Sequence, residues 1–272
     1  SIKAIRSYGA TADLCYLLDI AFQDHSINYV FYNLDPSALC ADPVTTFEST
    51  GCPMYLYDDN HLNDIEYLLN KDVLFEKIPY MIAQSLTGDY DEGNSYNWAQ
   101  WKSFNEDMIL GLYIRKMNIE DMKPETCYQD KLDGNLALLC AEIEAHPETQ
   151  FKISIPPYSM LWWDNIYRNG ETESYLYNME QAMEKLLTYE NVELYYFLND
   201  REIVTDLDNY MDLLHFSPEI NQYICDSMIR NDHKVTETNC HEIIEDSRSL
   251  AYQTVNELIK PYEDRIKVDI YD

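Results

Sequence analysis

Basic residues are scarce in this chain of 272: 19 Lys and Arg stand against 49 Asp and Glu, a formal charge of −30. No basic run is long enough to make a phosphate-binding patch, so nucleic acid and anionic lipid are poor partners. Long apolar runs are absent as well. Nothing approaches the roughly 18 consecutive apolar residues of a membrane span, and the first residues lack a signal-peptide pattern. The seven cysteines, at 15, 40, 52, 127, 140, 225 and 240, form no Cys-x-x-Cys pair and no Cys/His cluster with zinc spacing, which argues against structural zinc. Their odd number argues against a full disulfide framework. Cys15, Cys140 and Cys225 fall in apolar helical patterns and read as buried free thiols. No Asp/Asn-rich loop has the EF-hand register with its closing Glu, so the acidity reads as a solvated surface rather than a calcium site. No internal repeat or low-complexity linker divides the chain, and no cofactor motif is present.

What the chain does have is 46% hydrophobic content, enough for one large core or two smaller ones, and 24 Tyr with four Trp. Strand and helix patterns alternate. Ala10, Leu14, Leu17, Leu18, Ala21 and Phe22 recur at helical spacing over 10–24, and the β-rich run Ile27–Leu34 follows. Residues 61–85 read as two helices with Asn60 or Asp64 as caps, and 86–130 reads as an insertion over a surface or cleft. Then come a helix near 133–146, a strand at 150–155 ended by Pro156-Pro157, a helix near 173–189 and a strand at 192–197. A helix starting at 218 and a last one near 237–260, capped by Thr236 or Thr238, complete the chain. Strand, helix, strand at this spacing predicts an α/β fold with a mainly parallel central sheet, taken as one domain over 1–272. The chain opens at Ser1 without an initiator Met, which reads as a fragment or processed product whose anchor or secretion signal lies upstream.

Open parallel sheets bind ligands at the carboxyl ends of their strands. Three stretches are expected to converge there: Tyr32–Asp35, Pro156–Trp163, and Asn199 with the loop that carries Asp212 and His215. In that loop a carboxylate stands three residues before an imidazole, just ahead of a helix start marked by Ser217, Pro218 and Glu219. Such a carboxylate can accept from one ring nitrogen and leave the other as a general base. The structural alternative for the pair is a capping or surface interaction. The other histidines, 25, 61, 146, 233 and 241, sit near helix ends or in polar loops, where surface roles are usual.

With the Asp-x-x-His loop before a late helix and the predicted parallel sheet, the chain resembles the SGNH (GDSL-like) hydrolase superfamily, particularly its members associated with bacterial cell-envelope glycans. The resemblance implies a three-layer α/β/α, flavodoxin-like fold and a Ser, His, Asp triad in which Asp212 is the acid and His215 the base. Ser7-Tyr-Gly-Ala10 is similar to the family's second block, which implies that the Gly9 N–H helps form an oxyanion hole. Asp35 falls at the third block, Gly-x-Asn-Asp, although Tyr32 replaces its Gly and Leu34 its Asn. The family's Gly-Asp-Ser or Gly-Thr-Ser nucleophile motif does not occur in residues 1–8, which implies a nucleophile upstream of Ser1 or a loss of the chemistry. Ser7 and Ser159 are the local serines to weigh as substitutes. Tyr158, Trp162 and Trp163 are candidates for stacking on sugar rings, with packing beside a strand end as the other reading. The implied function is an esterase or O-acyltransferase of cell-envelope carbohydrate, with acylated carbohydrate or another small ester as partner. The implied alternative is an inactive relative that serves as a glycan-binding or scaffolding module.

Overall fold

Three β-rich runs separated by helices pair in parallel, as their alternation with helices predicts. The computed structural model describes residues 10–46, 54–57, 60–88 and 98–269, and the chain divides into two units. One unit comprises Ser1–Val44 with Ser103–Asp272, and the other is Thr45–Lys102. In chain order the described elements begin with α1 (Thr11–Asp24), β1 (Tyr29–Asn33) and α2 (Pro36–Leu39), followed in the smaller unit by α3 (Ile65–Leu68) and α4 (Ile78–Thr87). The larger unit resumes with α5 (Glu106–Leu112), β2 (Ile114–Lys116), α6 (Gln129–Ala145), β3 (Gln150–Ile155), α7 (Met160–Arg168) and α8 (Thr172–Leu186). It ends with β4 (Val192–Tyr196), α9 (Arg201–Val204), α10 (Pro218–Arg230), α11 (Cys240–Gln253) and β5 (Lys267–Asp269).

The main sheet has the order β1, β3, β4, with Tyr29 opposite Gln150 and Phe151 opposite Val192. Side chains alternate across it. Phe151, Ile153 and Ile155 of the central strand are fully buried, each worth about 1.5–3 kcal/mol of burial, and they pack with residues of α6, α8 and α11 such as Leu139, Met183 and Ile244. On β4 the alternation sends Leu194 and Tyr196 into that core. Tyr195 and Phe197 instead join a second cluster with Met228, Tyr223 and Ile224 of α10. Helices therefore lie against both faces of β4. On β1, Val30 and Tyr32 are buried while Tyr29 and Phe31 are exposed.

A second parallel pair joins β2 to β5, with Ile114 opposite Lys267. Arg115 of β2 is buried and grips Asp164 of α7 with Nε at 2.8 Å and Nη2 at 2.9 Å. Tyr113 donates to the same carboxylate at 2.7 Å, and a further Arg115 nitrogen reaches Glu263 at 3.0 Å. A fully buried carboxylate of this kind is tolerated only because each oxygen is met by donors. The turn from α7 to α8 needs Gly170, which has φ 66° and whose added Cβ would stand 2.2 Å from the Asp121 carbonyl oxygen.

Most anticipated elements stand within a few residues of their expected bounds, and three local expectations are corrected. The stretch 156–163 is not all strand-exit loop, because α7 begins at Met160. The last helix is entered at Asn239, whose Oδ1 accepts from the Thr236 N–H at 2.7 Å, rather than through a threonine side chain. Cys225 faces solvent, whereas Cys15 and Cys140 are buried free thiols, as are Cys40 and Cys240. The 86–130 stretch includes α5 and β2.

In the smaller unit a helical run spans 71–87. Asn70 starts it, accepting the Asp72 N–H at 2.9 Å, and Gly88 ends it at φ 75°. Pro79 cannot donate to the carbonyl four residues back, and the turn over Val73–Lys77 widens so that the Ile78 N–H bonds Val73 instead. None of the described side chains from 60 to 88 is buried.

Candidate functional site

The loop before α10 folds on itself through one aspartate. Tyr210 and Phe216 form an antiparallel bridge, and the Met211 N–H bonds the His215 carbonyl at 3.0 Å. Inside this turn Asp212 Oδ1 accepts the Leu214 N–H at 2.9 Å and the His215 N–H at 2.8 Å. A short carboxylate reaching its own backbone two and three residues on is the usual Asx-turn chemistry. Its second oxygen then lies 2.8 Å from His215 Nδ1. The spacing of Asp and His is thus what brings the ring to the carboxylate. With the Nδ1 proton held by Asp212, Nε2 is the basic nitrogen of the neutral ring. The His215 side chain is 55% exposed and that of Asp212 30%.

Each partner shifts the other. The hydrogen bond to Asp212 lifts the His215 pKa above its ordinary 6.5, partial burial opposes, and the carboxylate charge adds to the rise. Burial works to raise the Asp212 carboxyl, but hydrogen bonds from the His215 ring and from the backbone of His215 and Leu214 outweigh it and hold the group below its ordinary value.

Two buried side chains dock this loop on the exit of β3. The fully buried Tyr210 donates its hydroxyl to the Pro157 carbonyl at 2.8 Å. Ser159 donates both its N–H and its Oγ hydroxyl to the Leu213 carbonyl, each at 3.1 Å. From the other side, Asp35 caps α2 by accepting the Ser37 N–H at 2.7 Å and also accepts from the Tyr158 hydroxyl. Burial raises the Asp35 carboxyl, against the lowering by those donors. A continuous path of contacts therefore runs from Asp35 at the end of β1, through Tyr158 and Ser159 after β3, to the Asp212 and His215 pair.

Three expectations change at this point. Ser159 cannot serve as a substitute nucleophile, because its hydroxyl is wholly buried and committed to Leu213. Trp162 and Trp163 are 3% and 0% exposed on α7, and Tyr158 is 5% exposed, so their rings pack against protein and present no face to a sugar. They pack on one another instead, Trp162 edgewise against Trp163 at 4.8 Å and tilted against Tyr158 at 5.6 Å. Asp35 works as a helix cap, a role its position before Pro36 already signals. Gly9 and Ser7 lie outside the described residues.

Sequence reasoning did not single out Tyr210 or Leu213, which place the pair, nor the residues of a cavity of about 130 Å³ against Asp212. That cavity is lined by Leu112, Tyr113, Ile114, Asn165, Asp212 and Leu213. The advance signal was the run of large apolar residues in that loop, Tyr210, Met211, Leu213, Leu214 and Phe216, which needs a surface to pack on. A larger groove of about 460 Å³ lies along α6 and α8, on helices that carry none of the candidate residues. Among the described residues no group of three or more His, Cys, Asp and Glu side chains is set to hold a metal ion. Comparison with family models, with curated proteins and with solved structures finds no match to this chain.

Proposed function

We propose that this chain is an SGNH-like esterase or O-acyltransferase acting on acyl esters of cell-envelope carbohydrate, built on a three-layer α/β/α, flavodoxin-like frame. The observation that carries the reading is the pair itself: His215 Nδ1 lies 2.8 Å from an Asp212 oxygen, on a loop docked at the carboxyl end of the central parallel strand. In this reading Asp212 holds the ring in one tautomer and stabilises the imidazolium that forms. His215 removes the proton of a serine supplied by a segment preceding Ser1, and the alkoxide attacks the ester carbonyl. The oxyanion is met by backbone N–H groups, with that of Gly9 among them by family resemblance. As the tetrahedral intermediate collapses and its bond to the sugar oxygen breaks, the imidazolium protonates that oxygen, and water or a second hydroxyl then takes the acyl group from the serine. The same upstream segment would carry the membrane anchor and place the enzyme at the cell envelope.

The second reading, a glycan-binding or scaffolding module on the same frame, is favoured by one observation: the hydroxyl of Ser159, one of the two local serines weighed as substitute nucleophiles, is committed to Leu213. The two part in a single assay. With the upstream sequence present, p-nitrophenyl acetate is expected to turn over and His215→Ala to abolish that turnover. Equal rates in both proteins would sink the catalytic reading.

A further inference from the structure

The smaller unit carries an amphipathic helix whose apolar face is open. In the run 71–87, Leu74, Phe75, Ile78, Met81, Ile82 and Leu86 recur at three- and four-residue spacing and share one side. All six are exposed, Phe75 by 73% and Leu86 by 83%. Lys77, Tyr80, Gln84 and Thr87 occupy the other side. In the turns that precede it, Leu62, Ile65, Leu68 and Leu69 are exposed as well. A patch of this extent marks a surface meant to be covered.

We infer that this helix lies in the surface of a lipid bilayer, apolar side down. Its charge supports that occupant: Lys71 and Lys77 balance Asp72 and Glu76, so the run is neutral within a chain of net charge −30. A neutral, broad apolar surface suits zwitterionic lipid, and the acidic remainder of the protein disfavours an anionic one. A partner helix would cover one stripe of α4, whereas exposed apolar residues also occur in the helical turn Ile65–Leu68 that precedes it. Tyr80, exposed on the polar side, suits headgroup depth. At 17 residues the run is about 25 Å long, and among the described residues no helix is long and apolar enough to cross a membrane, so the helix lies in the interface.

The test is co-sedimentation of the whole chain with phosphatidylcholine vesicles, beside the double variant Phe75→Glu, Ile82→Glu. Both positions are exposed, and circular dichroism is expected to show equal helix content. The parent chain is expected to pellet with the vesicles, less so when phosphatidylglycerol is mixed in, and the variant to stay in the supernatant by at least tenfold. A parent chain that stays in the supernatant, or a variant that pellets equally, overturns the inference. Light scattering that shows a dimer of the parent and a monomer of the variant overturns it too, and assigns the face to a second copy of this chain.

Discussion

At the scale of single residues, the Asp212 and His215 pair makes opposite demands on pH. The His215 pKa is raised, so its contribution to stability is complete below 6.5 and is lost as pH climbs through the higher folded value. The Asp212 pKa is lowered, so its contribution is present above 3.8 and is lost as pH falls through the lower folded value. The ion pair therefore steadies the loop most between those limits, whereas general-base chemistry needs the neutral ring above them. Replacing Asp212 by Asn removes both effects that lift the imidazole and leaves the desolvation that depresses it. NMR titration is expected to put the His215 ring above 6.5 in the parent and below it in Asp212→Asn, and the proposed ester turnover is expected to fall by roughly 10² to 10⁴. Unchanged titration would mean that the carboxylate does not govern the ring.

Elements are held by contacts of unequal worth. Asp164 is fully buried under Arg115, Tyr113 and Arg168 and ties α7 to β2, so Asp164→Asn takes away the buried countercharge of Arg115, leaves it the more exposed Glu263, and is expected to cost about 3–5 kcal/mol in urea unfolding. Ser159→Ala deletes one hydroxyl bond while the backbone N–H keeps Leu213 in place, which is expected to cost about 1 kcal/mol and to leave the proposed ester turnover at the parent's level. A Ser159→Ala protein without turnover would restore that serine as the nucleophile. The same contrast explains what could be read in advance. β3 announced itself by local alternation and a Pro-Pro stop, and α10 by Ser217, Pro218 and its apolar stripe. α7 hid behind that same Pro-Pro, since two prolines and two tryptophans look like a strand exit and the helix period shows only afterwards. The pairing of Ile114 with Lys267 joins two three-residue strands far apart in sequence, and no local pattern encodes such a match.

For the whole molecule, composition revealed the acidic surface and the wealth of tyrosine, but not the division into two units, because Thr45–Lys102 shows no change in linker composition at its borders. The pair at 212 and 215 was legible because both of its members and its turn lie within four residues. Its docking was not, because Tyr210 and Pro157 meet across 53 positions. The buried thiols carry one more consequence. Burial pushes Cys15 and Cys40 up to about 12 and Cys240 to about 11, so at pH 8 on the order of one in 10³ to 10⁴ of these sulfurs is a thiolate. Cys127 and Cys225 are exposed. An alkylating reagent is therefore expected to mark those two at once and the buried ones only as fast as the fold opens, so that mass spectrometry over time reads the protein's own clock of breathing, helix by helix.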